Sequence, residues 1–246
     1  MVLYHAGDEA LAAVDCLEKS DIPVEVYLVD NTPGDDTAQR IRWAHPGVHV
    51  LPQQKNLGFG RGNNVVLDRL DSEYHLLINP DVTFEPDLLP NMVRYMDEHP
   101  NAVILTPRVL NADGSEQFLP KKLPTVHYLL SGFLERLGKP FTTWRAEYTM
   151  AGQRVNAPVK VHFATGCFLL IRTETFRKLH GFDERFFLYQ EDSDLSRRAG
   201  MLGPIIYHPQ MCVTHAWARE NTRTLRGVMR QVRSIIQYFI KWGVSW

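Results

Sequence analysis

The sequence predicts an α/β fold, a mostly parallel central sheet flanked by helices. Three observations carry that expectation. Short apolar runs alternate with helix-periodic segments through the first 107 residues. Two of these runs end on an acid, Asp30 and Asp81. Far downstream, the stretch Gln190-Glu191-Asp192-Ser193-Asp194-Leu195-Ser196-Arg197-Arg198 opens another helical pattern with three carboxylates. A β-α-β order implies parallel neighbours whose faces are covered by helices. In such sheets a ligand lies beyond the carboxyl ends of the strands, so Asp30 and Asp81 should face one crevice.

The elements follow from the pattern. Val2 to His5 reads as a strand and Glu9 to Lys19 as a helix. Val24 to Val29 is a strand, Thr37 to Trp43 a helix, and Val48 to Leu51 a strand. Asn63 to Leu70 is helical, Tyr74 to Ile78 a strand, Leu88 to His99 a helix and Val103 to Thr106 a strand. Asn111-Ala112-Asp113-Gly114-Ser115 is a turn. Residues 138–158 show little periodicity and read as a long irregular segment of the kind used for substrate loops. Val161 to Ile171 reads as extended, with Gly166 inside it. Glu191 to Ala199 is a helix that Gly200 would end in a left-handed conformation. Ile205 to Tyr207 and Met211 to His215 read as two short strands. The last segment repeats apolar residues from Leu225 to Ile240 at helical spacing, with Arg226, Arg230 and Arg233 between them.

Bulk properties narrow the function. The chain has 246 residues, with 44% hydrophobic and 22% charged, as in an ordinary globular protein. A formal net charge of −1 gives no whole-chain attraction to nucleic acid. Cys16, Cys167 and Cys212 are odd in number and far apart, which argues against a disulfide framework and a zinc site. No apolar run reaches membrane-spanning length and no signal-peptide pattern opens the chain. The expectation is a cytoplasmic protein, at most bound to the inner membrane face.

Each motif has a bland reading beside the functional one. Asp81, at a strand end, suits a divalent cation that also contacts phosphates; Asn79-Pro80-Asp81 is equally a turn sequence. Glu191, Asp192 and Asp194 crowd three like charges that need an offsetting cation, arginine or helix N-terminus. Capping explains one or two of them, and general-base work explains a third. The loop Asn56-Leu57-Gly58-Phe59-Gly60-Arg61-Gly62-Asn63-Asn64 lets backbone approach a ligand, or merely turns tightly into a helix. It lacks the dinucleotide spacing. His215, ending an apolar strand, is either structural or a metal ligand beside a carboxylate. The C-terminal basic helix packs its apolar face on the core, lies on an anionic membrane, or does both by docking its stripe and presenting arginines to headgroups.

Taken in order, these segments resemble family 2 glycosyltransferases of the GT-A fold, in particular bacterial rhamnosyltransferases of cell-surface (O-antigen type) polysaccharide synthesis. The resemblance rests on Val29-Asp30-Asn31, the glycine loop from Asn56 to Asn64, Leu77 to Asp81, Leu123-Pro124-Thr125, Thr165 to Arg172, Gly181 to Phe187, Glu191 to Arg198, and His215. It implies a transferase domain over residues 1–220, with a nucleotide half (1–107) and an acceptor and catalytic half (108–220), followed by the basic helix 221–246. By position, Asp30 would hydrogen-bond the imide of a uracil or thymine. Asn31, Asn56, Gly58, Gly60, Asn63, Asn79 and Arg198 would line the donor side, Arg198 holding either the acidic cluster or the diphosphate. Asp81 and His215 would hold Mg²⁺ or Mn²⁺. Asp192 would be the catalytic base, with Glu191, Asp194 and Gly166 on the acceptor side.

The implied reaction is inverting transfer of a sugar, L-rhamnose from dTDP-rhamnose, to a glycan acceptor on a lipid. A UDP-linked galactosyl, glucosyl or N-acetylhexosaminyl donor is the rival within that reading. A nucleotidyltransferase and a non-catalytic sugar-nucleotide-binding module are the rivals outside it. Two departures stand out: Asn79 replaces the first acid of the D-x-D metal motif, and the chain opens with a shorter strand than the family pattern.

Overall fold

The computed structural model describes residues 1–216 and 225–246. The expected boundary between residues 220 and 221 lies outside the described residues, as does Trp217. In chain order the elements are β1 (Val2–Leu3), α1 (Glu9–Glu18), β2 (Tyr27–Asp30), α2 (Thr37–Ala44), β3 (His49–Pro52), α3 (Phe59–Asn64), β4 (Tyr74–Ile78), β5 (Val82–Thr83) and α4 (Leu88–Glu98). The second half contains β6 (Ile104–Leu110), α5 (Val126–Leu134), α6 (Phe141–Thr149), β7 (Val159–Val161), β8 (Phe168–Arg172), α7 (Thr173–Lys178), α8 (Glu191–Ala199), β9 (Ile205–His215) and α9 (Leu225–Trp242).

The alternation of strands and helices in the first half is as the periodicity predicts. β1, β2 and β3 form a parallel sheet in that order. The rest form a mixed sheet of order β4-β8-β6-β9-β5, with β7 on β9. Only β6 and β9 are parallel there; β4–β8, β6–β8, β5–β9 and β7–β9 are antiparallel. The mixing arises because β8, from the second half, inserts between β4 and β6. Apolar side chains then cover both sheets: Leu3, Val14, Leu28, Met92 and Leu105 belong to one buried cluster, Val29, Leu77, Ile104, Phe176 and Leu195 to another.

A cavity of about 430 Å³ lies between β2 and β4, lined by Met1, Tyr27, Asn63, Tyr74 and Leu76 among others. None of Glu191, Asp192 and Asp194 lines it. The Met1 ammonium donates to the Tyr27 carbonyl at 2.9 Å, and burial lowers its pKa to about 5.

Several elements differ from the sequence expectation, each for a local reason. β1 stops at Leu3 because His5 turns left-handed, with φ 51°. The segment expected to be irregular contains α6, whose apolar residues do not gather on one face; only Tyr148 and Thr149 are buried. Val161 to Ile171 divides into β7 and β8, with a bend carrying Gly166 between them. The two short strands expected around Pro209 are one strand, β9, whose pairing with β6 shifts register between Pro107 and Arg108. Gly200 is right-handed at φ −61° and extends α8. The glycine this turn requires is Gly203, where a Cβ would lie 2.5 Å from the Asn101 carbonyl oxygen.

Candidate active site

The site assembles where β2, β4 and β9 end and α8 begins. Strand register creates its first pair. β5 pairs antiparallel with β9, setting Val82 opposite His215, and Ala216 N–H donates to the Asp81 carbonyl at 2.9 Å. The His215 Nε2 then lies 3.2 Å from Asp81 Oδ1, with the imidazole 6% exposed and the carboxylate 26%. On the other side, His215 Nδ1 lies 3.2 Å from the Gln117 Oε1, and Gln117 Nε2 donates to the His215 carbonyl at 2.7 Å. With a cation bound, a proton on Nδ1 would meet the Gln117 amide oxygen and Nε2 would share the ion with Asp81, the arrangement used by metal-binding histidines. The residues present therefore suit a hard or borderline divalent cation. Among the described residues no group of three His, Cys, Asp or Glu side chains converges, so phosphate and water would complete such a shell.

The second feature is the start of α8. Tyr189 and Gln190 precede it in the left-handed region, with φ 68° and 67°. Two consecutive non-glycine residues there cost roughly 1–2 kcal/mol each. They are held from both sides: Phe59 N–H donates to the Phe187 carbonyl at 3.0 Å and Asp194 N–H to the Gln190 carbonyl at 2.9 Å. The strained entry aims Asp192 at the bend between β7 and β8. Its Oδ2 accepts from Gly166 N–H at 3.3 Å and its Oδ1 from Ser193 N–H at 2.8 Å. Ser196 clamps the same bend, its Oγ accepting from Ala164 N–H at 3.1 Å and lying 3.3 Å from the Ala164 carbonyl oxygen.

The three acids differ sharply in environment. Asp192 is partly exposed. Burial pushes its carboxyl up to about 6, against the opposing pull of the Gly166 and Ser193 N–H groups. Glu191 is buried, and burial together with the Asp192 charge holds it well above the usual carboxylate range. Asp194 is fully buried and saturated: Arg198 Nε meets its Oδ2 at 2.7 Å, Lys241 Nζ its Oδ1 at 2.6 Å, and Trp242 Nε1 the same Oδ1 at 2.8 Å. Arg198 also donates to the carbonyls of Leu179 and Gly181. Both residues are therefore turned to protein partners.

The donor-side residues form a third group. Asp30 is half-buried at the end of β2, its Oδ1 accepting from Thr32 N–H at 2.9 Å. Asn31 is buried and donates to the Gly58 carbonyl at 3.1 Å, and Asn56 Oδ1 accepts from Gly58 N–H at 2.8 Å. Gly58 has φ 84°, and a Cβ there would collide with the Phe187 carbonyl. Gly60 backs onto Phe182 and Glu191, and Gly166 onto Phe59 and Asp192. The glycine loop is thereby packed against the segment that carries the acids. We expect Gly58→Ala to lower Tm, and with it donor affinity; unchanged Tm and affinity by thermal melts and calorimetry would contradict this. Asn63 points along its own helix, to the Phe59 carbonyl, and lines the cavity between β2 and β4. Asn79 contributes its N–H to the Cys167 carbonyl at 2.8 Å, tying β4 to the same bend.

Sequence reasoning missed Gln117, Asn64, Lys241 and Trp242. Asn64 brackets residue 182, donating to the Phe182 carbonyl and accepting from Phe182 N–H, both at 2.8 Å. It also missed Lys121, which is buried beside the Tyr207 ring and whose pKa burial lowers to about 8.

The family model for glycosyl transferase family 2 matches residues 1–180. An N-acetylglucosaminyl-diphospho-decaprenol L-rhamnosyltransferase of Mycobacterium tuberculosis is 31% identical over 219 residues, covering 82% of this chain and 69% of that protein. The rhamnosyltransferase WbbL of Escherichia coli is 23% identical over 194 residues, covering 75% and 70% respectively. Among solved structures, residues 1–349 of Staphylococcus aureus TarS superpose with a TM-score of 0.62 at 18% identity, over 87% of this chain and 58% of that one. The mannosyltransferase PcManGT of Pyrobaculum calidifontis, solved with GDP-Man and Mn²⁺, gives 0.62 at 16% identity, over 98% and 61%. The chain thus spans about three fifths of the length of these two solved structures. The neighbours share its α/β architecture, so the fold is GT-A. By the family model and by identity to the rhamnosyltransferases, the chain belongs to glycosyl transferase family 2.

Proposed function

We propose that this chain is an inverting rhamnosyltransferase. It moves L-rhamnose from a dTDP-linked donor to a hydroxyl of a lipid-linked glycan at the inner membrane face, in surface polysaccharide synthesis. One observation carries the transfer chemistry. Asp192 is the partly exposed acid of its cluster, held by the backbone N–H groups of Gly166 and Ser193, and burial raises its pKa to about 6. A base poised near the operating pH is suited to take a proton from an attacking hydroxyl. Similarity to the decaprenol-linked rhamnosyltransferase supports the sugar and the lipid acceptor.

In this mechanism Asp192 accepts the acceptor's proton as its oxygen attacks the anomeric carbon, and a single displacement inverts that centre. Gly166 N–H and Ser193 N–H orient the carboxylate, and the strained Tyr189-Gln190 entry fixes its direction. Asp30 receives the base's imide N–H on the oxygen that does not bind Thr32. Asp81 and His215 would hold the Mg²⁺ or Mn²⁺, with Gln117 fixing the imidazole. When bound, that ion supplies Lewis-acid neutralisation of the departing diphosphate. Mn²⁺ beside GDP-Man in PcManGT supports a divalent ion.

The test is calorimetry with dTDP-rhamnose and uridine diphosphate hexoses, with Mg²⁺, Mn²⁺ or chelator. The expected result is metal-dependent binding of the dTDP sugar. Selective binding of a uridine diphosphate hexose would replace rhamnose, and binding without turnover on any acceptor would favour a non-catalytic module. Asp81→Ala should remove the metal response. Gln117→Ala should weaken metal-dependent binding about 10–100-fold, the usual cost of losing a ligand's orienting partner. Donor affinity equal to wild type in both variants would overturn the metal assignment.

A further inference from the structure

α9 carries part of its apolar stripe on the outside. Among its described side chains Gly227, Ser234 and Tyr238 are buried and Val228, Ile235 and Phe239 half-buried. Met229 is 63% exposed, Val232 43%, Ile236 54% and Ile240 76%. Steps of three, four and four residues put these on one helix face. Val244 and Trp246 continue the exposed apolar surface past the helix end, each about three quarters exposed. A contiguous apolar row in water marks an interaction surface. Val228, Ile235 and Phe239 of the same apolar repeat are half-buried, so the helix packs part of its apolar face on the protein and leaves the rest outside.

Charge identifies the partner. α9 contains Arg226, Arg230, Arg233 and Lys241 and no Asp or Glu. Arg233 is exposed beside the stripe, Arg230 is exposed but stacks on Phe187, and Lys241 turns inward. Apolar residues flanked by unopposed cations suit an anionic lipid surface. Among the described residues no helix is long and apolar enough to cross a membrane, so α9 would lie in the plane.

The inward face is tied to the catalytic segment. Ser234 Oγ donates to the Leu188 carbonyl at 2.8 Å, Arg230 stacks over the Phe187 ring at 5.0 Å, and Lys241 reaches both Asp183 and Asp194. The stripe is therefore about one helix diameter, ~10 Å, outside the segment that leads into Asp192. The tail joins α5 as well: Val126 N–H donates to the Ser245 carbonyl at 2.9 Å. α5 exposes Leu130 and Phe133, and Leu137 follows it exposed.

We propose that the outer stripe of α9 is an in-plane docking surface for an anionic bilayer, and that it fixes the catalytic segment one helix thickness from the headgroups. This deepens the proposed function by delivering a lipid-linked acceptor to Asp192, while lipid binding itself requires neither donor nor acceptor.

The experiment is flotation of the full chain with vesicles of phosphatidylcholine alone or mixed with phosphatidylglycerol. Wild type should float with the anionic vesicles and be released by high salt. Ile236→Asp combined with Ile240→Asp should abolish flotation while donor binding by calorimetry is unchanged. Arg233→Ala, which leaves the stripe intact, should lower partitioning about fivefold, the equivalent of one basic residue near an anionic surface. Failure of wild type to float at low salt would overturn the proposal, as would equal flotation of the double variant. A dimer in solution that the double variant splits, with no flotation by wild type, would assign the stripe to a second copy instead. Donor binding is read separately, so loss of the transferase reading and loss of the docking reading are distinguishable.

Discussion

Asp192→Asn is expected to lower transfer about 10²–10⁴-fold, the usual span of general-base assistance, with donor affinity unchanged. The substitution keeps the volume and one acceptor oxygen, which can still meet Gly166 N–H at the loss of the Ser193 N–H bond, but the amide cannot take the proton. For wild type, the rate at limiting acceptor should rise with pH through about 6, where Asp192 ionises, and then level off. The same shift has a stability consequence of opposite sign. A carboxyl raised in the folded state gives stability that is present below its ordinary value and lost as pH rises through about 6. The Tm of Asp192→Asn minus that of wild type should therefore increase between about pH 4 and pH 7. A difference flat in pH would mean that burial does not raise Asp192. Turnover equal to wild type would remove it as the base.

How far this site could be read in the sequence depends on the range of the contacts. Strand ends are local features: Asp30 is the last residue of β2, one position earlier relative to the strand than the apolar run predicts, and Asp81 lies three residues beyond β4. The α8 pattern is local too, and its start at Glu191 is where the acids placed it. Long-range pairing is not local. β8 lies beside β4 although about ninety residues separate them, and no periodicity announces that insertion. His215 meets Asp81 only because β5 and β9 pair in one register. Gln117 orients that imidazole from a hairpin arm that reads as an unremarkable polar position. The glycine loop was legible as a place where backbone must come close, but the structure shows protein on the near side: Phe187 at Gly58 and Glu191 at Gly60. α9 was legible as an amphipathic helix; which face the core would take was not, because that choice depends on Leu188, Asp183 and Asp194 far upstream.

Asp194→Ala should be the most destabilising single change at the site, costing about 3–5 kcal/mol, because it removes one member of a buried charge network and strands the others. Asp194 is fully buried, and the Arg198 and Lys241 side chains that meet it are only 16% and 19% exposed. Arg198 would retain its carbonyl partners at Leu179 and Gly181, and Lys241 its pair with Asp183, which keeps the cost from rising further. Trp242→Phe deletes a single hydrogen bond to a charged acceptor and should cost about 1.5–3 kcal/mol. Denaturant melts would rank the two. Because Lys241 and Trp242 anchor the end of α9 on Asp194, both variants should also expose that helix to proteolysis sooner than wild type. An acceptor-binding role for Asp194 makes the contrary prediction: a higher acceptor KM with Tm and proteolysis unchanged. The geometry favours the first outcome, since both carboxylate oxygens of Asp194 already meet charged or indole donors, whereas Asp192, two residues earlier, is held by the Gly166 and Ser193 N–H groups and the Ser193 side chain and is partly exposed.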